Sequence, residues 1–180
     1  MEEDIKTKIE QNFGELMESL SSLNQDQLNR VPFNGSWSAA QVGEHLLKSY
    51  GVIEVLSGNT MPTDRPIDEK VEELKLIFLN YDIKMESPEF ILPSAGIIDR
   101  EALLKDLEER IVAILRFIWE RDLSATCIDL EFPDQGPLTG LEWVHFLYYH
   151  THRHLNQLEK IKAVLKANVP HEFGSESAKH

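Results

Sequence analysis

The stretch TGLEWVHFLYYHTHRHLNQLEKIKAVLKA, residues 139–167, decides the fold. It opens on Thr139 with Glu142 three positions on, the reciprocal pattern of a helix capping box. Apolar residues then recur at three- and four-residue steps as far as Ala167. At about 100° per residue, Trp143 and Ile161 fall about 20° from His150. Phe146 and Val164 lie about 40° to one side and His154 about 40° to the other, with Leu147 and Leu165 about 60° off. The apolar stripe is therefore centred between His150 and His154, and Gln157 lies on it. His145 and His152 fall on the opposite side with Asn156 and Glu159, and this pattern places both toward solvent.

The same periodicity runs back through the chain. Ile5, Ile9, Phe13, Leu16 and Leu20 predict a first long helix from Asp4 to Leu23. Residues 24–35 are a connector rich in Asn, Pro and Gly. Ser38 and Gln41 form a second capping box for a helix running to about Leu56, where Ser57, Gly58 and Asn59 stop it. His45 lies among Val42, Leu46, Ser49, Val52 and Leu56, and so faces inward. Val71, Leu74 and Phe78 mark a shorter helix from Asp68. Residues 80–98, with Pro88, Pro93 and Gly96, read as a long irregular connection of the kind that often carries function. A brief extended piece is expected at Phe90, Ile91 and Leu92. Asp99 caps a further long helix carrying Leu103, Leu107, Ile111, Ile114, Leu115 and Ile118, and residues 124–137 read as a loop. The expected fold is all-α, a four-helix bundle with a long crossover connection and one short extra helix. It fills a single domain, residues 1–170, followed by a mobile tail, residues 171–180.

Composition narrows the function. The chain has 180 residues, 42% hydrophobic and 27% charged, as an ordinary globular domain does. With 18 basic against 31 acidic residues, the net charge is −13. Nucleic-acid binding needs a basic footprint, and no Lys or Arg run supplies one. No apolar run approaches the roughly 20 residues of a membrane span, and the start lacks the features of a signal peptide. Cys127 is the one cysteine, which excludes an internal disulfide and points to a cytoplasmic location. Its place in a loop between helices makes it a bystander rather than a nucleophile. A bundle of this size is compatible with a homodimer.

Imidazole is costly to bury without a partner. A single core-facing His is ordinarily a hydrogen-bonded structural residue. Two at i, i+4 on one stripe aim both rings at a common point, and His45 adds a third from another helix. A divalent metal held by His45, His150 and His154 accounts for all three. Three neutral imidazoles leave a fourth position open, the pattern of a catalytic zinc site. Gln157, one turn beyond His154, either supports a ligand from the second shell or makes an ordinary core hydrogen bond. Glu44 points about a quarter-turn from the His45 face, and Asp82, Glu86 and Glu89 lie in the long connection. None stands out as a general base.

Residues 37–46, WSAAQVGEHL, resemble the W-[ST]-x-x-[EQ]-[VI]-x-x-H-[LI] segment of DinB-like proteins, which include a YfiT-like branch. Residues 150–157, HTHRHLNQ, are similar to their later H-x-x-x-H-x-x-Q segment. The resemblance spans nearly the whole chain and implies a four-helix bundle binding zinc or nickel through His45, His150 and His154. Trp37 and Gln41 also match the pattern, and helix entry explains both. Some such proteins are thiol transferases using bacillithiol or mycothiol, others are described as metal-dependent hydrolases, and some have lost the metal. The resemblance implies a small-molecule substrate and, as the leading expectation, a thiol S-transferase in detoxification or stress. The alternatives are a hydrolase with metal-bound hydroxide and a metal-free helical binding domain.

Overall fold

The helices begin where the sequence supplies caps. In the computed structural model, which describes residues 2–167, Ser38 and Gln41 exchange side-chain-to-backbone bonds of 3.2 and 3.0 Å at the start of one helix. Thr139 and Glu142 do the same at 3.1 and 2.9 Å at the start of another. Asp99 caps a third by accepting from the Ala102 amide at 2.8 Å. In chain order the elements are α1 (Glu2–Ser21), α2 (Gln25–Asn29), α3 (Ala39–Ser49), α4 (Val52–Leu56), β1 (Thr60–Met61), α5 (Val71–Phe78), α6 (Arg100–Glu120), β2 (Thr126–Phe132), β3 (Gly136–Thr139) and α7 (Gly140–Ala167). The expected tail, residues 171–180, lies outside the described residues.

The four long helices close a ring, with α1 against α6 and α7, and α3 also against α6 and α7. Ile9, Phe13, Leu16 and Leu20 of α1 meet Leu107, Ile114 and Ile118 of α6 and Leu147, Leu158 and Ile161 of α7 in the buried core. Where α3 crosses α1 and α6, Gly43 makes the approach feasible. A Cβ there would stand 3.0 Å from Leu103 Cδ2 and 3.2 Å from Leu20 Cδ1. No helix among the described residues is long and apolar enough to cross a membrane.

The structure departs from the expected all-α fold in four places. The helix anticipated from Ser38 to Leu56 divides at Tyr50 and Gly51, where Gly51 N bonds Lys48 O and Ile53 N bonds Tyr50 O. These tighter i→i−3 bonds turn the chain while the buried Tyr50 hydroxyl lies 2.8 Å from Thr151 Oγ1 of α7. The 24–35 connector holds the short, capped α2, so short helices are more numerous than the one expected. Phe90 and Ile91 belong to a 3₁₀ turn, Glu89–Ile91, and not to an extended piece. Finally, the 124–137 loop is a hairpin. β1, β2 and β3 form a three-stranded antiparallel sheet in that order. Pro133 and Asp134 make its tip, with Gln135 N bonding Phe132 O at 3.0 Å and Asp134 at φ 62°, the geometry of a type II turn. Cys127 is consequently a strand residue, and it is buried.

The sheet is pinned to α7 through one carboxylate. Glu142 is fully buried and pairs with Arg65 through two 2.7 Å bonds. It also accepts the amides of Lys70 and Thr139, each at 2.9 Å. Burial pushes its pKa up, but the Arg65 bonds, the two amides and the Arg65 charge together hold it below the ordinary carboxylate value. Replacing Arg65 with Met strands this charge. We expect Arg65→Met to lose about 3 kcal/mol of stability in urea denaturation at neutral pH, the scale for breaking a buried pair from one side.

Candidate metal centre

α3 delivers His45, and successive turns of α7 deliver His150 and His154. The three rings are 1%, 6% and 8% exposed, and their candidate ligand atoms all lie within 4.8 Å of one another. His150 Nε2 stands 3.2 Å from His45 Nε2 and 3.1 Å from His154 Nε2.

The far side of each ring sets its tautomer. His45 Nδ1 lies 2.9 Å from the Ile91 carbonyl oxygen. A carbonyl only accepts, so in the neutral ring Nδ1 carries the hydrogen and Nε2 a lone pair. His154 Nδ1 faces Gln157 Oε1 at 2.8 Å, which places the His154 Nε2 lone pair toward the same point. His150 Nδ1 is buried with no hydrogen-bond partner. If His150 carries its hydrogen on Nε2, that one hydrogen faces two lone pairs and Nδ1 is a stranded acceptor. If it carries the hydrogen on Nδ1, that donor is stranded and three lone pairs converge. Either tautomer leaves His150 Nδ1 unmatched; a cation at the convergence point would satisfy the three lone pairs of the second arrangement. The donor set therefore fits a divalent metal.

The surroundings keep the rings uncharged. Burial lowers the pKa of His45, with the Ile91 carbonyl opposing and the Lys48 charge adding to the effect. His150 is held well below its ordinary value by burial first and then by His154, His45 and Arg153. Burial and His45 bring His154 down to about 3, against a raising contribution from Gln157. Aromatic rings enclose the cluster. Phe146 stacks on His150 with centroids 5.3 Å apart, Phe78 meets the same ring edge-on at 5.6 Å, and Trp37 lies 5.1 Å from His45. Trp37, expected to pack the helix entry, thus packs on a candidate ligand as well.

Other sequence-derived candidates fall elsewhere. His152 is half-buried and lies 6.0 Å from Tyr148. His145, expected to face solvent, is buried at 9% exposure and its Nδ1 has no partner. The reason is that α1 packs along that side of α7, with Asn12 donating to the Tyr148 carbonyl at 2.9 Å. Glu44 turns away from the cluster to accept from Ser94 Oγ at 2.8 Å and from the Ser94 amide. Asp82, Glu86 and Glu89 are exposed, and none joins the histidine group. Burial, followed by the Asp129 charge, pushes the Cys127 thiol up to about 11, the opposite of an activated nucleophile. The contact of Ile91 with His45 has no signature in the sequence, because it is made by a backbone carbonyl, which leaves no residue-type signal.

The sequence profile of the DinB superfamily matches residues 8–158, a span that includes all three histidines and Gln157. The chain belongs to the DinB superfamily. Among its relatives is YuaE of Bacillus subtilis, an uncharacterized protein 26% identical over 151 residues, covering 82% of this chain and 91% of YuaE. Among solved structures, YfiT from Bacillus subtilis is similar with a TM-score of 0.52 at 20% identity, covering 92% of this chain and 87% of YfiT. YfiT is described as a probable metal-dependent hydrolase with an unusual four-helix bundle topology. At that identity the likeness establishes the shared fold.

Burial of His145 has a consequence in acid. Its pKa falls to about 4 from the ordinary 6.5, chiefly through burial and secondarily through the Lys8 charge. The unfolded chain takes up this proton first as pH falls, so stability present above pH 6.5 is lost progressively toward pH 4. Urea midpoints at pH 7.5 and pH 5 should therefore differ less for His145→Leu than for the wild type.

Proposed function

We propose that this DinB-superfamily protein is a divalent-metal-dependent enzyme whose ion, zinc or nickel, is held by His45, His150 and His154. The observation that carries the reading is the convergence of three buried, neutral Nε2 atoms, two of them aimed by Nδ1 contacts to Ile91 and Gln157. The description of YfiT as a probable metal-dependent hydrolase supports it. Three protein ligands leave coordination space for a small molecule, unlike a closed structural site.

Within that reading, a thiol S-transferase is the preferred reaction class. A divalent ion in this position supplies positive charge that favours the thiolate form of a small thiol at neutral pH. The residues around it work in the same direction. Lys48 lies near His45, and Arg153 near His150 and His154, as cations that disfavour protonation of the rings. The rings of Trp37, Phe78 and Phe146 pack on the histidines, and such an apolar wall lowers the local dielectric and strengthens the attraction for an anion. The thiolate sulfur then attacks an electrophilic carbon. A C–S bond forms, the leaving group departs with its electron pair, and the thiol proton passes to solvent. A bacillithiol-type thiol and a role in detoxification or stress fit this chemistry. A hydrolase is the second reading, favoured by the YfiT description.

Two measurements test these readings. Protein purified without chelator should contain about one equivalent of zinc or nickel, and His45→Ala and His154→Ala should contain little. Saturating metal at a hundredfold excess over Kd should stabilise the wild type by about 2.7 kcal/mol; no uptake and no stabilisation would refute the metal reading. With metal bound, conversion of a chromophoric electrophile should require added thiol. Ester cleavage at the same rate without thiol would select the hydrolase.

A further inference from the structure

The long connection between α5 and α6 does more than join them. Gln41, Glu44, His45 and Lys48 project from one side of α3, at i, i+3, i+4 and i+7, with Glu44 and His45 at its two edges, and all four grip the backbone of residues 91–94. Gln41 Nε2 donates to the Ser94 carbonyl at 2.9 Å. Glu44 accepts the Ser94 amide and hydroxyl. His45 Nδ1 donates to the Ile91 carbonyl at 2.9 Å, and Lys48 Nζ donates to the Leu92 carbonyl at 2.7 Å. The upstream end is held from α7, where Arg153 donates to the carbonyls of Phe78, Asn80 and Ile83. Both helices that carry the histidines therefore also anchor this connection. The segment has little of its own to fix it. Phe90 is 77% exposed and Leu92 42% exposed, so few buried apolar contacts hold it down.

We propose that Glu44 and Lys48 are positioning residues for the metal centre, acting through the backbone they hold. This inference rests on the metal reading above. By fixing residues 92–94 on α3, the two side chains keep the Ile91 carbonyl on His45 Nδ1. That contact holds the hydrogen on Nδ1 and the Nε2 lone pair toward His150 and His154. A partner on the far nitrogen of a ligating His is worth 10–100-fold in metal affinity in other sites. Coupling between two such events is reciprocal, so metal binding in turn tightens the connection against α3.

The test combines zinc affinity, measured by competition with a chromophoric chelator, and amide hydrogen exchange at Ile91, Leu92 and Ser94. The Glu44→Ala/Lys48→Ala double variant should bind zinc about tenfold more weakly than wild type, and Glu44→Gln, which keeps an acceptor for Ser94, should recover most of the loss. Zinc should slow exchange at these amides in the wild type but not in His154→Ala. Lys48→Met removes the Leu92 contact together with the 3.7 Å ion pair to Glu44 and keeps the Glu44–Ser94 bonds, so it should show a smaller loss in the same direction. It carries the test if the double variant does not fold. Unchanged zinc affinity in folded variants whose connection exchanges faster would overturn the proposal. A wild type that takes up no zinc or nickel would instead overturn the metal reading, and this inference with it.

Discussion

From Gly140 to Thr151, α7 is enclosed on nearly every side, and much else in the structure answers to that constraint. α1, α3, α5 and β3 all pack on it. A helix so placed has few positions at which a polar side chain can reach water, so its polar groups need partners inside the protein. Glu142 finds Arg65 and two backbone amides, and Thr151 finds the Tyr50 hydroxyl. Trp143 Nε1, His145 Nδ1 and His150 Nδ1 find none. The unmatched buried side-chain atoms among the described residues thus all belong to this one helix.

The histidine cluster is the extreme case. Three imidazoles meet through the same nitrogen at hydrogen-bond distance, while their hydrogen-bonding capacity cannot be matched among themselves. The Ile91 carbonyl and the Gln157 carboxamide make the conflict sharper, because they commit two rings to presenting lone pairs inward. Such an arrangement would be a stability burden in a purely structural core. It is the arrangement a cation needs, with neutral nitrogens prepaid in position and burial opposing their protonation.

The small sheet serves the same end from a distance. Its hairpin runs directly into the capping box that starts α7, and the Arg65–Glu142 pair ties the segment after β1 to that start. Phe132 of β2 joins Phe78 and Phe146 in the ring cluster that reaches His150. The sheet therefore fixes where α7 begins and supplies part of the apolar wall beside the site.

Much of this was legible in the residue order. Period and caps are local, so the four long helices, the capping boxes at Ser38 and Thr139, and the inward turn of His45, His150, His154 and Gln157 could be read without coordinates. The spacing of His150 and His154 also determined that their rings would share a face. Tertiary structure decided the rest. Whether a polar helix face meets water depends on which neighbour covers it, and α1 covers His145. That β2 is a central strand depends on β1 arriving from far away in the chain to pair along its other edge. The distance from His45 to His150 depends on how closely α3 and α7 approach, and the hydrogen on His45 is placed by a backbone carbonyl that any residue at position 91 would offer. Those are contacts between segments remote in sequence, and no local pattern encodes them.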